Sequence, residues 1–119
     1  MDLGTRLHVN NARYLSYLED TRIAYRKHLD LPGEVGVILA DTHIIYLKPI
    51  FLDDRIEVGV KVAKIGTKSL TFQHAIVDQN SEIVYATAHV VMVTYDYQTD
   101  STIPVPDSWR TAIINFEGL

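Results

Sequence analysis

The chain has 119 residues, of which 47% are hydrophobic and 22% are charged, and this is the size and composition of one compact domain with one core. A net charge of -4 argues against a broad basic surface, so we predict no nucleic-acid partner. The lack of cysteine excludes disulfides, a thiolate nucleophile and a cysteine metal site. The sequence shows neither a membrane-spanning apolar run nor the pattern of a signal peptide, so we expect a single cytoplasmic domain over residues 1–119 with no membrane partner.

The first predicted element is a helix over residues 11–29. Apolar residues such as Leu15 and Leu18 recur there at helical spacing. Asn10 or Asn11 is suited to cap this helix, because a short amide side chain can accept hydrogen bonds from the free backbone N–H groups of the first turn.

Four strands are predicted after this helix, because β-branched and aromatic residues occur there in runs separated by turn residues. The strands extend from Val35 to Leu47, from Arg55 to Ile65, from Ser69 to Asp78 and from Ile83 to Tyr97. Their links are too short for crossover helices, so we expect consecutive strands to be antiparallel neighbours.

A short final helix is predicted near residues 107–115, with Asp107 or Ser108 as its cap and with Trp109 and Phe116 as its hydrophobic anchor. One long helix followed by a long antiparallel sheet indicates a two-layer α+β domain in which the sheet curls around the helix.

The loop before the first helix carries the most specific motif. The segment Leu7-His8-Val9-Asn10-Asn11-Ala12-Arg13-Tyr14-Leu15, with Glu19-Asp20-Thr21-Arg22, resembles the 4-hydroxybenzoyl-CoA thioesterase-like family of hot-dog proteins, in which a loop of the type Asp-x-x-Gly-His-Val-Asn-Asn leads into the central helix. Weaker matches follow in the family's order at residues 44–49, 54–58, 65–69 and 104–106. The resemblance implies the hot-dog fold, a long central helix wrapped by a curved antiparallel sheet, followed by a short C-terminal helix. Because the chain begins at the loop, we expect the first strand of that fold to be missing.

The same resemblance implies the hydrolysis of an acyl-CoA or acyl-carrier-protein thioester to a free acid and a thiol. It also implies a homodimer or a dimer-based homotetramer, a site at the subunit interface, and no metal or organic cofactor, with coenzyme A present only as part of the substrate. Such a site needs a carboxylate that attacks the carbonyl or activates water. It also needs backbone N–H groups, commonly at a helix N-terminus, that stabilise the developing oxyanion.

The catalytic candidates come from the match to the family loop. The family's acid lies four places before the histidine, which is Gly4 here, and Leu7 replaces the usual glycine. Three interpretations follow: a truncated gene product, loss of part of the catalytic apparatus, or a shifted loop in which Asp2 serves as nucleophile or general base. His8 would orient the carbonyl or bind water, and Asn11 would order the start of the oxyanion-binding helix.

The substrate-binding candidates lie in the loop, the helix and two later turns; they are Asn10, Tyr14, Glu19, Lys48, Lys64, Gly66, Lys68 and Ser69. The lysines could meet the phosphates of coenzyme A, and the turn at Gly66 allows the backbone to approach a ligand closely. Structural roles compete with these assignments, since Glu19 can pair with Arg22 or Arg26 on the helix.

A second hypothesis for the function is a catalytically impaired hot-dog protein that binds acyl thioesters or serves as an oligomeric structural module. The glycine at position 4 and the missing strand motivate it. His43 and His74 lie in predicted strands without a second ligand at metal spacing, so we predict polar-face or interface positions for both.

Overall fold

The computed structural model describes residues 9–31 and 34–119. Its elements in chain order are α1 (Asn11–His28), β1 (Gly36–Tyr46), β2 (Ile56–Ile65), β3 (Ser69–Asp78), β4 (Val84–Asp96), β5 (Ser101–Thr102) and α2 (Asp107–Glu117). The predicted helices and long strands are confirmed to within two residues at each end. The short strand β5 was not predicted, because two residues carry no periodic pattern. The prediction of a missing first strand concerns residues 1–8, which lie outside the described residues.

The long strands form one antiparallel sheet in the order β1-β4-β3-β2, and β5 pairs with β4. The prediction that consecutive strands are neighbours is confirmed for β2 with β3 and for β3 with β4, but it is wrong for β1, which pairs with β4. The link over residues 47–55 can extend about 30 Å. Since β1 and β2 are three strand spacings apart, about 14 Å, this link crosses the end of the sheet easily.

One face of the sheet forms the core beneath α1. Alternate side chains of β3 are buried on this face, and each lies opposite a buried residue of β4; the pairs are Leu70 with Met92, Phe72 with Val90, His74 with Ala88 and Ile76 with Ala86. The helix contributes the buried Tyr14, Leu18 and Tyr25. The Tyr25 ring meets the Phe72 ring edge to face at 5.7 Å. Helix α1 therefore packs on this face, in contact with β3 through Tyr25 and close to β2, as expected for the predicted hot-dog architecture.

Helix α2 is fixed to the domain by Trp109, which is buried and carries the Arg26 guanidinium 4.5 Å from its ring centre. The prediction of Trp109 as an anchor is confirmed, whereas Phe116 is 52% exposed and only touches Tyr25 and His28 with its ring. The predicted cap is wrong, because Pro106 occupies the N-cap position and no side chain caps the helix. Asp107 instead stands in the first turn, where its charge favours the helix dipole.

The C-terminal end of α2 reaches edge strand β2. The Glu117 carboxylate accepts a hydrogen bond from the Val62 backbone N–H at 2.8 Å and another from the Tyr25 hydroxyl at 2.8 Å. Burial and this carboxylate both raise the pKa of Tyr25, so its hydroxyl stays protonated and donates. One carboxylate thus joins α1, β2 and α2. Neither of these helices is long and apolar enough to cross a membrane.

Candidate active site

The start of α1 presents free backbone donors. Asn10 is the N-cap, and its side-chain oxygen accepts from the Arg13 N–H at 3.2 Å, which confirms one of the two predicted caps. The N–H groups of Asn11 and Ala12 have no hydrogen-bond acceptor among the described residues, and the first turn holds no acidic side chain. These donors and the positive end of the helix dipole make the start of α1 suitable for an oxyanion.

The chain before α1 is fastened to the link that follows β1. The Val9 N–H donates to the Ile50 carbonyl oxygen at 2.6 Å, and both residues are buried. One turn into the helix, the Tyr14 ring packs edge to face on the Tyr46 ring at 4.9 Å. The last residue of β1 and the link after it therefore set the position of the helix start.

A cavity of about 280 Å³, here termed the helix-start cavity, lies at this junction. Asn11 and Tyr14 line it from α1, and Tyr46, Leu47 and Lys48 line it from the end of β1 and the link. Burial is the largest influence on Tyr14 and raises the pKa of its hydroxyl, which keeps it neutral and able to donate a hydrogen bond. The cavity thus combines a polar helix start, a phenol and a lysine around an apolar wall.

Two more cavities follow the seam between α1 and β1. The middle cavity, of about 160 Å³, is lined by Leu18, Glu19 and Arg22 of α1 and by Leu39 and Thr42 of β1. The far cavity, of about 500 Å³, shares Glu19 and Arg22 with it and extends to Trp109 of α2. From the helix-start cavity to the far cavity, the residue numbers of the α1 lining increase while those of the β1 lining decrease. The three cavities therefore form a row along the seam.

The structure brings together only part of the predicted site. Asn10, Asn11, Tyr14 and Lys48 gather around the start of α1, and Glu19 lies along the seam. Lys64, Gly66, Lys68 and Ser69 instead lie around the β2–β3 turn, at the opposite end of the sheet from the start of α1. The predicted residues Asp2 and His8 lie outside the described residues.

The β2–β3 turn is held tightly by its neighbours. A Cβ at Gly66 would lie 2.5 Å from the Ser69 hydroxyl oxygen, so any other residue there would require the Ser69 side chain to move. The Arg110 guanidinium donates to the Gly66 carbonyl at 2.9 Å, and the Lys68 ammonium donates to the Thr102 hydroxyl at 3.3 Å. The close backbone approach predicted at Gly66 is therefore made by Ser69 and Arg110 of this chain. Lys64 and Lys68 are exposed on either side of the turn.

Sequence reasoning missed the pair formed by Arg22 and His74. A guanidinium nitrogen of Arg22 lies 3.3 Å from His74 Nε2, beneath α1. The prediction of a polar-face or interface position is wrong for His74, which is 4% exposed on the core face of β3. The described residues contain no group of three or more histidine or acidic side chains that could hold a metal ion.

Comparison with known proteins bears directly on this arrangement. Residues 1–113 match the family model described as the thioesterase-like superfamily. The chain belongs to this superfamily. The long-chain acyl-CoA thioesterase FadM of Escherichia coli (strain K12) is 25% identical over 108 residues, which are 87% of this chain and 82% of FadM.

Solved structures of other proteins share the fold. A thioesterase from Thermus thermophilus, complexed with coenzyme A and Zn, is 32% identical with a TM-score of 0.81, covering 94% of this chain and 83% of that one. A thioesterase superfamily structure from Jannaschia sp. CCS1 has a TM-score of 0.84 at 20% identity, covering 100% of this chain and 77% of that one. The hot-dog fold predicted from the loop motif is therefore confirmed.

Proposed function

We propose that this member of the thioesterase-like superfamily hydrolyses an acyl-CoA thioester to a free acid and coenzyme A. The observation that carries the proposal is the start of α1, where N–H groups without an acceptor among the described residues lie beside a cavity lined by Asn11, Tyr14 and Lys48. The likeness to FadM and to a thioesterase complexed with coenzyme A supports the substrate class. The chemistry requires water and no organic cofactor or metal.

In the proposed reaction, the Asp2 carboxylate removes a proton from water, and the water oxygen attacks the thioester carbon. The carbonyl oxygen becomes an oxyanion that accepts hydrogen bonds from the N–H groups of Asn11 and Ala12. The C–S bond then breaks, the thiolate of coenzyme A leaves, and the proton passes to its sulfur. His8 orients the carbonyl, and the neutral Tyr14 hydroxyl donates to the bound thioester.

We propose that the working form is a homodimer built on the free edge of β1. This strand pairs only with β4 among the described residues, and large apolar side chains on both of its faces are exposed; they are Ile38, Leu39, Ile45 and Tyr46. A long apolar edge strand is a template for pairing with another chain. A two-fold axis perpendicular to the sheet would pair two β1 strands antiparallel and continue the sheet across both subunits.

This dimer would unite the two groups of substrate-binding candidates. Antiparallel pairing of the β1 strands places the β2–β3 turn of one subunit at the same end of the joined sheet as the α1 start of the other. The strands between them span about 15–20 Å. An extended coenzyme A could therefore carry its thioester at Asn11 while its phosphates meet Lys64 and Lys68 of the partner subunit.

The direct test is the release of free thiol from short, long and aromatic acyl-CoAs by the purified protein, with acyl carrier protein thioesters as a parallel substrate set. We expect turnover of at least one class of acyl-CoA. No thiol release from any of them would refute the proposal. Tight acyl-CoA binding without turnover would favour a binding protein instead.

The role of Asp2 is tested by Asp2→Asn, for which we expect kcat to fall about a hundredfold or more with the fold unchanged. Asp20→Asn is the matched control, because Asp20 is an exposed acid of α1 away from the helix start, and we expect it to keep full activity. Unchanged hydrolysis in Asp2→Asn would remove Asp2 from the mechanism.

A further inference from the structure

The row of three cavities gives a bound acyl chain a defined direction. From the helix-start cavity, a chain can follow the seam past Leu18 and Thr42 towards the far cavity. Along α1, Arg22 lies about 12 Å beyond Tyr14. An acyl group of medium length whose thioester sits at the start of α1 would therefore end beside Arg22.

Arg22 is a half-buried cation that makes no direct ion pair among the described residues, although the charge of Glu19 acts on it. Its guanidinium bonds to His74 Nε2 at 3.3 Å, and no carboxylate oxygen lies within 4.0 Å of it in the part of the chain that the structure describes. Burial is the largest influence on this group and lowers the pKa of Arg22, an effect that Glu19 opposes only in part. An unpaired cation in a partly dehydrated site is costly unless an anion joins it.

The histidine beside Arg22 cannot supply that anion. Burial and the neighbouring guanidinium lower the pKa of His74 to about 4, so the ring is neutral at physiological pH. His74 Nδ1 is buried and makes no close hydrogen bond among the described residues, and the Gly59 backbone opposes the lowering of the pKa only in part. His74 can therefore hold Arg22 in place through Nε2 but leaves its charge unbalanced.

The far cavity combines this cation with apolar walls. Val37, Leu70, Phe72 and Met92 line it from the sheet, and Trp109 lines it from α2. Its volume of about 500 Å³ is within the range of small-molecule sites. Of the charged groups that line it, the cations Arg22, Arg26 and Lys27 outnumber the carboxylates Glu19 and Asp30. Apolar walls with an excess of positive charge suit an apolar chain that carries an anion at its end.

We propose that the far cavity binds the distal end of an acyl chain that terminates in a carboxylate, and that the Arg22 guanidinium pairs with this carboxylate. The preferred substrates are then ω-carboxyacyl thioesters. This inference rests on the proposed thioester hydrolysis for its assignment of the thioester end, but the binding preference can be measured separately. A methyl-terminated chain of equal length fills the same apolar walls and leaves Arg22 unpaired, so it binds less tightly.

The first experiment compares matched pairs of substrates with the wild-type protein. Adipoyl-, suberoyl-, sebacoyl- and dodecanedioyl-CoA are measured against hexanoyl-, octanoyl-, decanoyl- and dodecanoyl-CoA. We expect kcat/KM to favour the ω-carboxyacyl substrate by about tenfold or more at the chain length that reaches Arg22, and by less at the shortest length. Equal or inverted preference at every length would overturn the proposal while leaving thioester hydrolysis intact.

Variants then connect the preference to Arg22. In Arg22→Gln we expect the ratio of the two kcat/KM values to fall to about one, through loss of the ω-carboxyacyl substrate alone. Arg55→Gln is the matched control, because Arg55 is exposed and lines none of the three cavities, and it should keep the wild-type ratio. Arg22→Lys retains the positive charge but lacks the planar guanidinium that binds a carboxylate through two N–H groups, so it should give an intermediate ratio. This variant also provides a test if Arg22→Gln does not fold.

A binding measurement separates this proposal from the proposed function. Non-hydrolysable thioether analogues of suberoyl- and octanoyl-CoA, and of their longer counterparts, are titrated by calorimetry. Tighter binding of the ω-carboxy analogues by about tenfold supports the Arg22 site even if no thioester is hydrolysed. Equal binding of both series refutes it even if hydrolysis is observed.

Discussion

The two edge strands of the sheet differ in what they expose. The exposed positions of β2 are small or charged, namely Glu57, Gly59, Lys61 and Lys64, whereas the exposed positions on the two faces of β1 include Ile38, Leu39, Ile45 and Tyr46. Lysines on an edge strand discourage pairing with another chain, and apolar residues encourage it. In addition, the Glu117 carboxylate accepts the hydrogen bond of the Val62 N–H on the β2 edge, so this donor is not available to another chain.

Hydrogen bonding shows the same difference. On the β2 side, the Glu117 carboxylate joins two helices and a strand. On the β1 side, the buried Thr42 hydroxyl has no partner among the described residues, and Arg22 makes no direct ion pair there. The β2 side therefore stabilises the subunit, whereas the β1 side is the one to which we assign the proposed ligand and second subunit.

The largest loss of stability should come from removing the anchor of α2. Trp109→Ala deletes a fully buried ring and the surface on which Arg26 stacks. We expect the free energy of unfolding to fall by about 3–5 kcal/mol, as measured by urea denaturation. Phe116→Ala is the control on the same helix, because its ring is half exposed, and it should cost about 1 kcal/mol or less. An equal loss in both variants would show that Trp109 does not anchor α2.

The next effect concerns the carboxylate on the β2 edge. Glu117→Ala leaves the buried Val62 N–H and the Tyr25 hydroxyl without their acceptor, so we expect a loss of about 2–3 kcal/mol in unfolding free energy. Glu57→Ala, on the outward face of the same strand, should change it by less than about 0.5 kcal/mol. If the two substitutions cost the same, the β2 edge does not depend on Glu117.

A smaller, pH-dependent effect should arise from His74. Its folded-state pKa of about 4 lies below the ordinary value of 6.5, so the unfolded chain binds more protons between these values. Stability due to neutral His74 is therefore complete above about pH 6.5 and is lost as the pH falls towards 4. We expect this residue to contribute about 2 kcal/mol to the difference in unfolding free energy between neutral pH and about pH 4.5.

Urea unfolding at the two pH values tests this contribution. His74→Gln should flatten the pH dependence, whatever its effect on stability at neutral pH. His89→Gln is the control, since His89 is exposed on the opposite face of β4. This variant should keep the wild-type change of unfolding free energy with pH. If the change of unfolding free energy with pH were the same in His74→Gln as in the wild type, the buried neutral state of His74 would be contradicted.

The fold was predictable because its signals are local. Helical spacing and runs of β-branched residues located every long element, and the residue types at the turns located their ends. The pairing of β1 with β4 was not predictable in this way, since the link over residues 47–55 is long enough for either neighbour. Residue alternation placed the His74 side chain on one face of β3 but could not show which face lies beneath α1.

The site was predictable mainly from the motif at the start of α1. Asn10, Asn11 and Tyr14 belong to one motif and meet in one place, and the later Lys48 joins them through the link after β1. Arg22 and His74 are 52 residues apart and meet only through the packing of α1 on the sheet. The substrate-binding candidates around Gly66 lie at the other end of the sheet, and only a second subunit would bring them to the α1 start.

The smallest effect on the subunit itself, and the most direct test of the β1 edge, is expected from Ile45→Lys. Ile45 is exposed, so its replacement should change the fold and the unfolding free energy little, by about 0.5 kcal/mol. A lysine on an apolar edge should nevertheless prevent pairing, so we expect sedimentation equilibrium to give a dimer for the wild type and a monomer for the variant.

Gly59→Lys introduces the same side chain on β2, where a Cβ would meet only the Ala75 carbonyl oxygen at 3.9 Å. This variant should remain dimeric. Because the proposed site combines the α1 start of one subunit with Lys64 and Lys68 of the other, only Ile45→Lys should raise the KM for acyl-CoA. If both variants remained dimeric, the association would have to use a surface other than β1. If Ile45→Lys became monomeric and kept its KM, the start of α1 would be a complete site within one subunit.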